Sequence, residues 1–317
     1  MRVVALAGGV GAGKFLRGLV RAVPERDLTV IVNTGDDLRM HTLHVSPDLD
    51  SVTYWLAGEA DRERGWGRAG ETFRATGELT RLGAKGAWFG LGDLDLATHL
   101  LRSTLLADGL TLSEATAEIT RRLGVGARLL PMSDDPVTTR IEAVDALGQA
   151  RDLHFQEYWV ERGGVDEVKR VRYEGAEASR PSPGVLEAIG EADAILVCPS
   201  NPIASIAPIL AVRGIRTAIA ARRDRVAGVS PIVAGAPLRG MADRLLPSAG
   251  VEVSAAGVAA FYRDLVGAWV IDQVDADQAS RVRDLGLRVA VTDTIMTGDQ
   301  AAESLARASL RAALHAP

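Results

Sequence analysis

Between Val32 and Asp50 the chain sets carboxylates in two clusters, Asp36 with Asp37 and Asp48 with Asp50, with Arg39 the one strongly basic neighbour. Carboxylates this close in sequence repel one another. A hard divalent cation removes that repulsion, and Mg²⁺ typically takes one or two carboxylates together with phosphate oxygens. The chemistry implied is the binding of a metal ion together with a phosphorylated ligand. Asp36, Asp37 and Asp50 are therefore candidate Mg²⁺ ligands. Asp37 and Asp50 are also candidate proton acceptors for an attacking hydroxyl. The bland alternative is a solvated acidic loop. Asp48, a candidate substrate contact, has a structural rival as well. Ser46-Pro47-Asp48 reads as a helix entry, with a serine cap, a first-turn proline and early acid complementing the helix dipole.

Three further constellations could hold a ligand. Gly8-Gly-Val-Gly-Ala-Gly-Lys14 follows an apolar run, Val3–Ala7, and precedes a helical pattern that starts near Lys14. Strand, glycine turn and helix together make an anion site, because backbone amides and the positive helix end face the same point. Gly8, Gly9, Gly11 and Lys14 are the candidate nucleotide contacts; a tight turn needing glycine for packing is the alternative. Pro199-Ser-Asn-Pro-Ile-Ala-Ser205 follows another apolar run and offers Ser200, Asn201 and Ser205 to a phosphate or ribose. A rigid proline-rich connector explains it almost as well. Asp95, Thr98, His99 and Arg102 recur at helical spacing and share one face. That face suits a phosphorylated substrate, or it is a set of intrahelical salt bridges. Asp134, beside Asp135 at the end of a strand, is a further candidate substrate contact.

Apolar runs at Val3–Ala7, Leu28–Val32, Arg128–Leu130, Ala194–Cys198, Arg225–Ser230, Ala268–Asp272 and Arg288–Val291 read as strands. Helical patterns alternate with them, and Ala301–His315 reads as a terminal helix. Val137–Val144 and Leu153–Val160 also read as strands, and 161–180 as a surface loop or exposed hairpin. Thr111 and Glu114 fit a capping box. The fold class is α/β: a Rossmann-like, doubly wound, mostly parallel sheet. Residues 1–50 and 127–317 form its core. Residues 51–126, helical and aromatic-rich, form an insertion that covers the strand ends. Ligands in such sheets sit beyond the carboxyl ends of the strands.

Composition removes several function classes. A net charge of −5 and 4% aromatic residues argue against a nucleic-acid surface. The single cysteine, Cys198, allows no intrachain disulfide and suits a reducing compartment. No run reaches the roughly 20 apolar residues that span a bilayer. A cytoplasmic protein without membrane contact is expected.

Taken in order, the motifs resemble those of the 2-phospho-L-lactate transferase family of coenzyme F-420 biosynthesis, over nearly the whole chain. They are Gly8-Gly-Val-Gly, Asn33-Thr-Gly-Asp-Asp37, Ser46-Pro-Asp-Leu-Asp50, Gly92-Asp-x-Asp-x-x-Thr-His99 with Arg102, Leu130-Pro-Met-Ser-Asp-Asp135, Phe155-Gln156, Pro199-Ser-Asn-Pro-x-x-Ser-Ile206 and Val229-Ser-Pro-Ile232. The resemblance implies transfer of a phosphorylated three-carbon acid from a guanosine-diphospho donor to the ribityl hydroxyl of the deazaflavin Fo, with GMP leaving. It leaves open whether the acid is phospholactate, phosphoenolpyruvate or 3-phosphoglycerate. It further implies Mg²⁺, a homodimer, contact between Asp50 and Fo, and a nucleotide near the glycine turn and Ser200-Asn201. A basic residue that touches Fo in some relatives aligns with Trp88-Phe-Gly90, where this chain has none. Two rivals stand beside this reading: a non-catalytic nucleotide-sugar-binding regulator of the same fold, and a P-loop-like kinase. Phe15 argues against the kinase, because a P-loop needs Ser or Thr after its lysine to hold Mg²⁺.

Overall fold

The computed structural model describes residues 1–314. β1 (Val3–Ala7) runs straight into α1 (Gly9–Ala22), so the helix begins inside the glycine run and not at Lys14. β2 (Leu28–Val32) leads to the acidic loop. A short antiparallel hairpin follows, β3 (Leu38–Met40) and β4 (Leu43–Val45), which the sequence reading did not anticipate. α2 (Pro47–Ala57) opens on the expected proline. α3 (Arg74–Arg81), α4 (Asp93–Ala107) and α5 (Leu112–Arg122) complete the helical stretch, and Thr111 with Glu114 forms the capping box at the head of α5.

β5 (Arg128–Pro131) returns to the sheet. β6 (Thr138–Val144), β7 (Ala150–His154) and β8 (Glu167–Glu174) do not join it; they form a separate antiparallel sheet in the order β7-β6-β8. Two expectations fail here. Leu153–Val160 is not one strand: β7 ends at His154 and a π-helical turn, Glu157–Glu161, follows. The charged segment 161–180 is neither wholly loop nor a hairpin of its own: turns flank a single strand, β8, which pairs with β6. Alternation is the reason. β6 buries every second residue, so its partner can remain charged on the open face.

The second half continues with α6 (Val185–Glu191), β9 (Ala194–Val197), a π-helical turn at Pro202–Ile206, α7 (Ala207–Ala211), the unforeseen α8 (Ile215–Ala220) and β10 (Val226–Val229). A small hairpin, β11 (Ile232–Val233) with β12 (Ala236–Pro237), precedes α9 (Ala242–Leu245) and α10 (Ala255–Tyr262). β13 (Ala268–Asp272), α11 (Ala279–Asp284), β14 (Arg288–Thr292) and α12 (Asp299–Leu314) close the chain. The predicted end of α12 at His315 lies outside the described residues.

Seven parallel strands form the main sheet in the order β14-β13-β10-β9-β1-β2-β5. Both faces are covered, which is why the strands read as continuous apolar runs. Phe15, Leu16 and Leu19 of α1 pack on one face with Leu49 and Val52 of α2 and Leu305 and Leu310 of α12. Ile189, Ile215, Val258 and Trp269 lie in the core on the other. Strand order reverses direction between β1 and β9. That switch point opens a crevice at the carboxyl ends of the strands, where doubly wound proteins bind their ligands.

Candidate active site

The glycine turn, the acidic loop and the Pro199–Ser205 loop all leave the sheet at this crevice. Close approach dictates the glycines. A Cβ on Gly8 would lie 2.5 Å from Asp48 Oδ2 and 2.6 Å from Ser205 Cβ, and one on Gly11 would lie 2.2 Å from the Pro199 carbonyl oxygen. Gly9 adopts φ +70°, which other residues adopt rarely. Gly11 thus has a packing reason independent of any ligand. Lys14 stays half-buried with Nζ 6.0 Å from the centre of the Trp55 ring, and burial with the nearby Arg239 lowers its pKa. Ser200 keeps its hydroxyl buried and unpartnered, whereas the Asn201 side chain caps the following turn by accepting from the Ile203 and Ala204 amides.

Asp48 does not simply cap its own helix. Its carboxylate points across to the start of α1, where Asn33 Nδ2 donates to Oδ2 at 2.8 Å. Asn33 is fully buried; its side-chain oxygen accepts from the Gly35 amide, so it fixes both the loop and Asp48. Burial pushes Asp48 up to about 7, despite the Asn33 and Gly9 amides. Asp36 is raised well above the usual carboxylate range, by burial first and then by the charge of Asp48. One oxygen of Asp36 meets only Gln156 Nε2, at 3.5 Å, and the other has no partner. Asp37 accepts from His44 Nε2 at 2.9 Å and Ser46 Oγ at 2.7 Å through one oxygen; the other is unpartnered. Burial raises Asp37 as well, against these hydrogen bonds. His154 accepts the Gln156 amide at Nδ1 and so presents Nε2–H to the Asp37 carbonyl.

Asp50 is held differently. Both its oxygens accept from the Arg102 guanidinium, one of them at 3.1 Å from Nη1. The buried residues of α4 are Asp95, Thr98, His99 and Arg102, so the helical spacing read from sequence does define one face. It is an inward face, not a solvated set of salt bridges. His99 accepts from Arg102 Nη1 at Nδ1 (3.3 Å) and stands 3.5 Å from both Asp50 and Asp95. Tyr54 donates to Asp95 at 2.6 Å. Burial alone would raise Asp95, but His99, Tyr54 and Arg102 outweigh it and hold Asp95 below its ordinary value.

Asp134 stands apart from these groups in its bonding. Its two oxygens accept from the amide and hydroxyl of Ser113, at 2.7 and 2.8 Å, which ties β5 to the first turn of α5. Among the described residues, the three-residue group that converges to ligand distance is Asp50, Asp95 and His99, not Asp36, Asp37 and Asp50. The Arg102 fork already occupies that group. Asp36 and Asp37 each keep a buried oxygen without a partner, and Asp36 also feels the charges of Asp48 and Asp37, a repulsion that a divalent cation would relieve. Two surface hollows of about 420 and 570 Å³ lie at the β14–α12 edge and beside Arg223 and Arg263, and neither is lined by these carboxylates.

Sequence reasoning assigned no role to Asn33, His44, Tyr54, His154 or Gln156, and it read Ser46 as a helix cap, whereas the Ser46 hydroxyl makes no cap hydrogen bond and donates to Asp37 instead. Asn33, His44 and Ser46 lay within the acidic stretch itself, where side chains that can donate to a carboxylate were the available signal. Gln156 reaches Asp36 across 120 positions and had no local signal.

The sequence profile described as 2-phospho-L-lactate transferase CofD matches residues 3–307. The phosphoenolpyruvate transferase of Streptomyces griseus is 49% identical over 314 residues, covering 99% of this chain and 98% of its own. The 2-phospho-L-lactate transferase of Methanosarcina mazei is 38% identical over 310 residues, covering 98% and 100%. A solved UPF0052-family protein from Bacillus halodurans shares the fold at a TM-score of 0.60 and 18% identity, covering 98% of each chain. No helix among the described residues is long and apolar enough to cross a membrane. By sequence along almost its full length, this chain belongs to the 2-phospho-L-lactate transferase CofD family and is a transferase.

Proposed function

We propose that the protein transfers a phosphorylated three-carbon acid from its guanosine-diphospho donor to the ribityl hydroxyl of the deazaflavin Fo, releasing GMP, in coenzyme F-420 biosynthesis. Family membership across residues 3–307 carries this reading. Relatives named phosphoenolpyruvate transferase match at 41–50% identity and a relative named 2-phospho-L-lactate transferase at 38%, which favours phosphoenolpyruvate as the acid. A cytoplasmic homodimer belongs to the same proposal.

The residues support a division of labour. Gly8, Gly9 and the unpartnered Ser200 hydroxyl line the switch point and suit the donor's phosphates, with half-buried Lys14 on the next turn of α1. Asp36 and Asp37 would hold Mg²⁺, each through its free buried oxygen. When bound, the ion supplies neutralisation of charge building on the leaving phosphate. Asn33 keeps Asp48 turned toward α1, and His44 with Ser46 keeps Asp37 in a single orientation. Of the two carboxylates considered as proton acceptors, Asp37 retains an unpartnered oxygen and Asp50 does not. Incubating pure protein and Mg²⁺ with Fo and each guanylylated acid in turn tests the proposal. The product mass should show addition of one acid, with phosphoenolpyruvate most efficient. No product from any donor would end this reading, and nucleotide-sugar binding without turnover would favour the regulator.

A further inference from the structure

The antiparallel sheet β7-β6-β8 stands outside the main sheet and grips the acidic loop from the side. The Thr139 amide donates to the Gly35 carbonyl at 2.7 Å. His154 Nε2 donates to the Asp37 carbonyl at 3.1 Å, and Gln156 Nε2 reaches one Asp36 oxygen at 3.5 Å. Tyr173, opposite Thr139 in the ladder, donates to the Ile203 carbonyl at 2.7 Å. Alternation along β6 turns Thr139, Ile141 and Ala143 inward in one row. Ile141 and Ala143 are apolar, and valine would continue that row with the same outline. Threonine is ordinary in strands, so its presence alone decides nothing. Its hydroxyl decides more: Thr139 is 0% exposed and the hydroxyl has no hydrogen-bond partner. Buried hydroxyls are rarely left so, because desolvation without a bond is unfavourable.

That hydroxyl lies against the acidic loop. A Cβ on Gly35 would fall 2.6 Å from Thr139 Oγ1, so glycine at 35 is what allows the approach. Burial and then the charge of Asp48 raise Asp36, while the Asn33 and Thr139 side chains pull the other way, which sets the hydroxyl beside that carboxylate. One Asp36 oxygen nevertheless has no direct donor. We propose that Thr139 is a positioning residue for the divalent cation held by Asp36, its hydroxyl orienting the water that such an ion retains. The inference rests on the assignment of Mg²⁺ to Asp36 in the reaction proposed above. Mg²⁺ takes one or two carboxylates and keeps several waters, so most of its shell calls for neutral partners. A threonine hydroxyl accepts a hydrogen bond from a metal-bound water and adds no charge. A further carboxylate beside Asp36, Asp37 and Asp48 would add repulsion instead. Gln156 holds the other oxygen of the same Asp36 carboxylate from the same side, so the antiparallel sheet forms a wall of the cation site.

The test uses the full chain with Mn²⁺ alone as the probe, the free ion being read by electron paramagnetic resonance. Thr139→Val keeps the outline and loses the hydroxyl; Thr139→Ser keeps the hydroxyl. Loss of an outer partner of a metal site should weaken Mn²⁺ binding to Thr139→Val about ten- to a hundredfold. Thr139→Ser should bind close to the wild type. The metal-free melting temperature of Thr139→Val should hold or rise, because an unpaired buried hydroxyl has gone. The further rise that Mg²⁺ brings should shrink, and metal-free GDP affinity should hold. Thr139→Ala removes the hydroxyl with less bulk and carries the same expectation for Mn²⁺ should valine disturb the strand. Equal Mn²⁺ affinity in the wild type and both hydroxyl-free variants overturns the inference. So does a loss of metal-free stability with Mn²⁺ binding intact, which makes the hydroxyl a brace, or a loss of GDP affinity alone, which makes it a phosphate contact. Asp36→Asn separates this inference from the reading beneath it. If that variant also binds Mn²⁺ like the wild type, the assignment of the ion to Asp36 falls and the inference with it. If it loses Mn²⁺ and Thr139→Val does not, the inference alone falls.

Discussion

At the switch point Asp36 and Asp48 are buried within range of each other's charge, with neutral donors from Asn33, Gln156, Gly9 and Thr139 beside them. In the neighbouring helical layer Asp50 and Asp95 are buried as deeply, among Arg102, His99 and Tyr54. The first pair is short of positive charge and its pKa values are driven up. The second is supplied with it, and Asp95 is driven down. Burial is similar in both, so the difference comes from the counter-charge. A carboxylate without one is prepared for a cation; a carboxylate with one is already neutralised and is left to accept neutral donors.

The largest test of that contrast removes a charge from the under-neutralised side. Asp36→Asn should cut turnover at least ~100-fold, on the scale of losing a key electrostatic stabiliser. The melting temperature should stay level or rise, because a repelled buried charge has gone. Near-normal turnover with unaltered Mg²⁺ dependence would erase the distinction between the two clusters.

The two sides should also respond to pH with opposite sign. Asp48 has a folded value of about 7, above its unfolded value, so the folded chain retains a proton that the unfolded chain releases. Its contribution to stability is full below about pH 4 and is lost as pH rises through about 7, with a slope of at most ~1.4 kcal/mol per pH unit. Asp95 is lowered, so its contribution is present above its ordinary value and lost as pH falls through the folded one. Unfolding free energies of metal-free wild type and Asp48→Asn between pH 4 and pH 8 read this directly. The difference curve should slope only across that interval, and added Mg²⁺ should stabilise the wild type more at pH 8 than at pH 5. A flat difference curve removes Asp48 from the under-neutralised pair.

Gly11→Val asks whether the wall facing Asp48 depends on packing. Its side chain meets the Pro199 carbonyl, so overpacking should cost about 1–3 kcal/mol by chemical denaturation. GDP affinity by calorimetry should fall while Fo binding survives. Equal stability and unchanged nucleotide affinity would separate the glycine turn from both roles. The smallest effect belongs to Asp134, a carboxylate bound to the head of a helix. Asp134→Ala should cost about 1 kcal/mol, the scale of a lost cap, with the acceptor and donor KM values little changed. A large loss in either KM would return Asp134 to the substrate site.

Much of the fold could be read locally. Val3–Ala7, Leu28–Val32 and Ala268–Asp272 are apolar runs, which parallel strands buried on both faces must be, and each strand lies where it was read. The Thr111–Glu114 box and the Pro47 helix entry depend on neighbours three residues apart or fewer. The misreadings occur where a segment is stabilised from outside itself. The 161–180 segment looks like loop because the residues that make β8 a strand lie on β6, and Leu153–Val160 looks like strand although a π-helical turn interrupts it. The α4 face shows both sides of the matter. Its membership followed from helical periodicity, but whether it met water or the core depended on Asp50, 52 positions away from Arg102.

The sequence by itself therefore determined which residues are candidates for the chemistry, because motif spacing, strand patterning and helical periodicity are local properties of the chain. The tertiary structure alone decided which carboxylates are compensated. Charge neutralisation depends on distance in space: Arg102 reaches Asp50, nothing comparable reaches Asp36, and burial strengthens both outcomes by removing the water that would otherwise screen them.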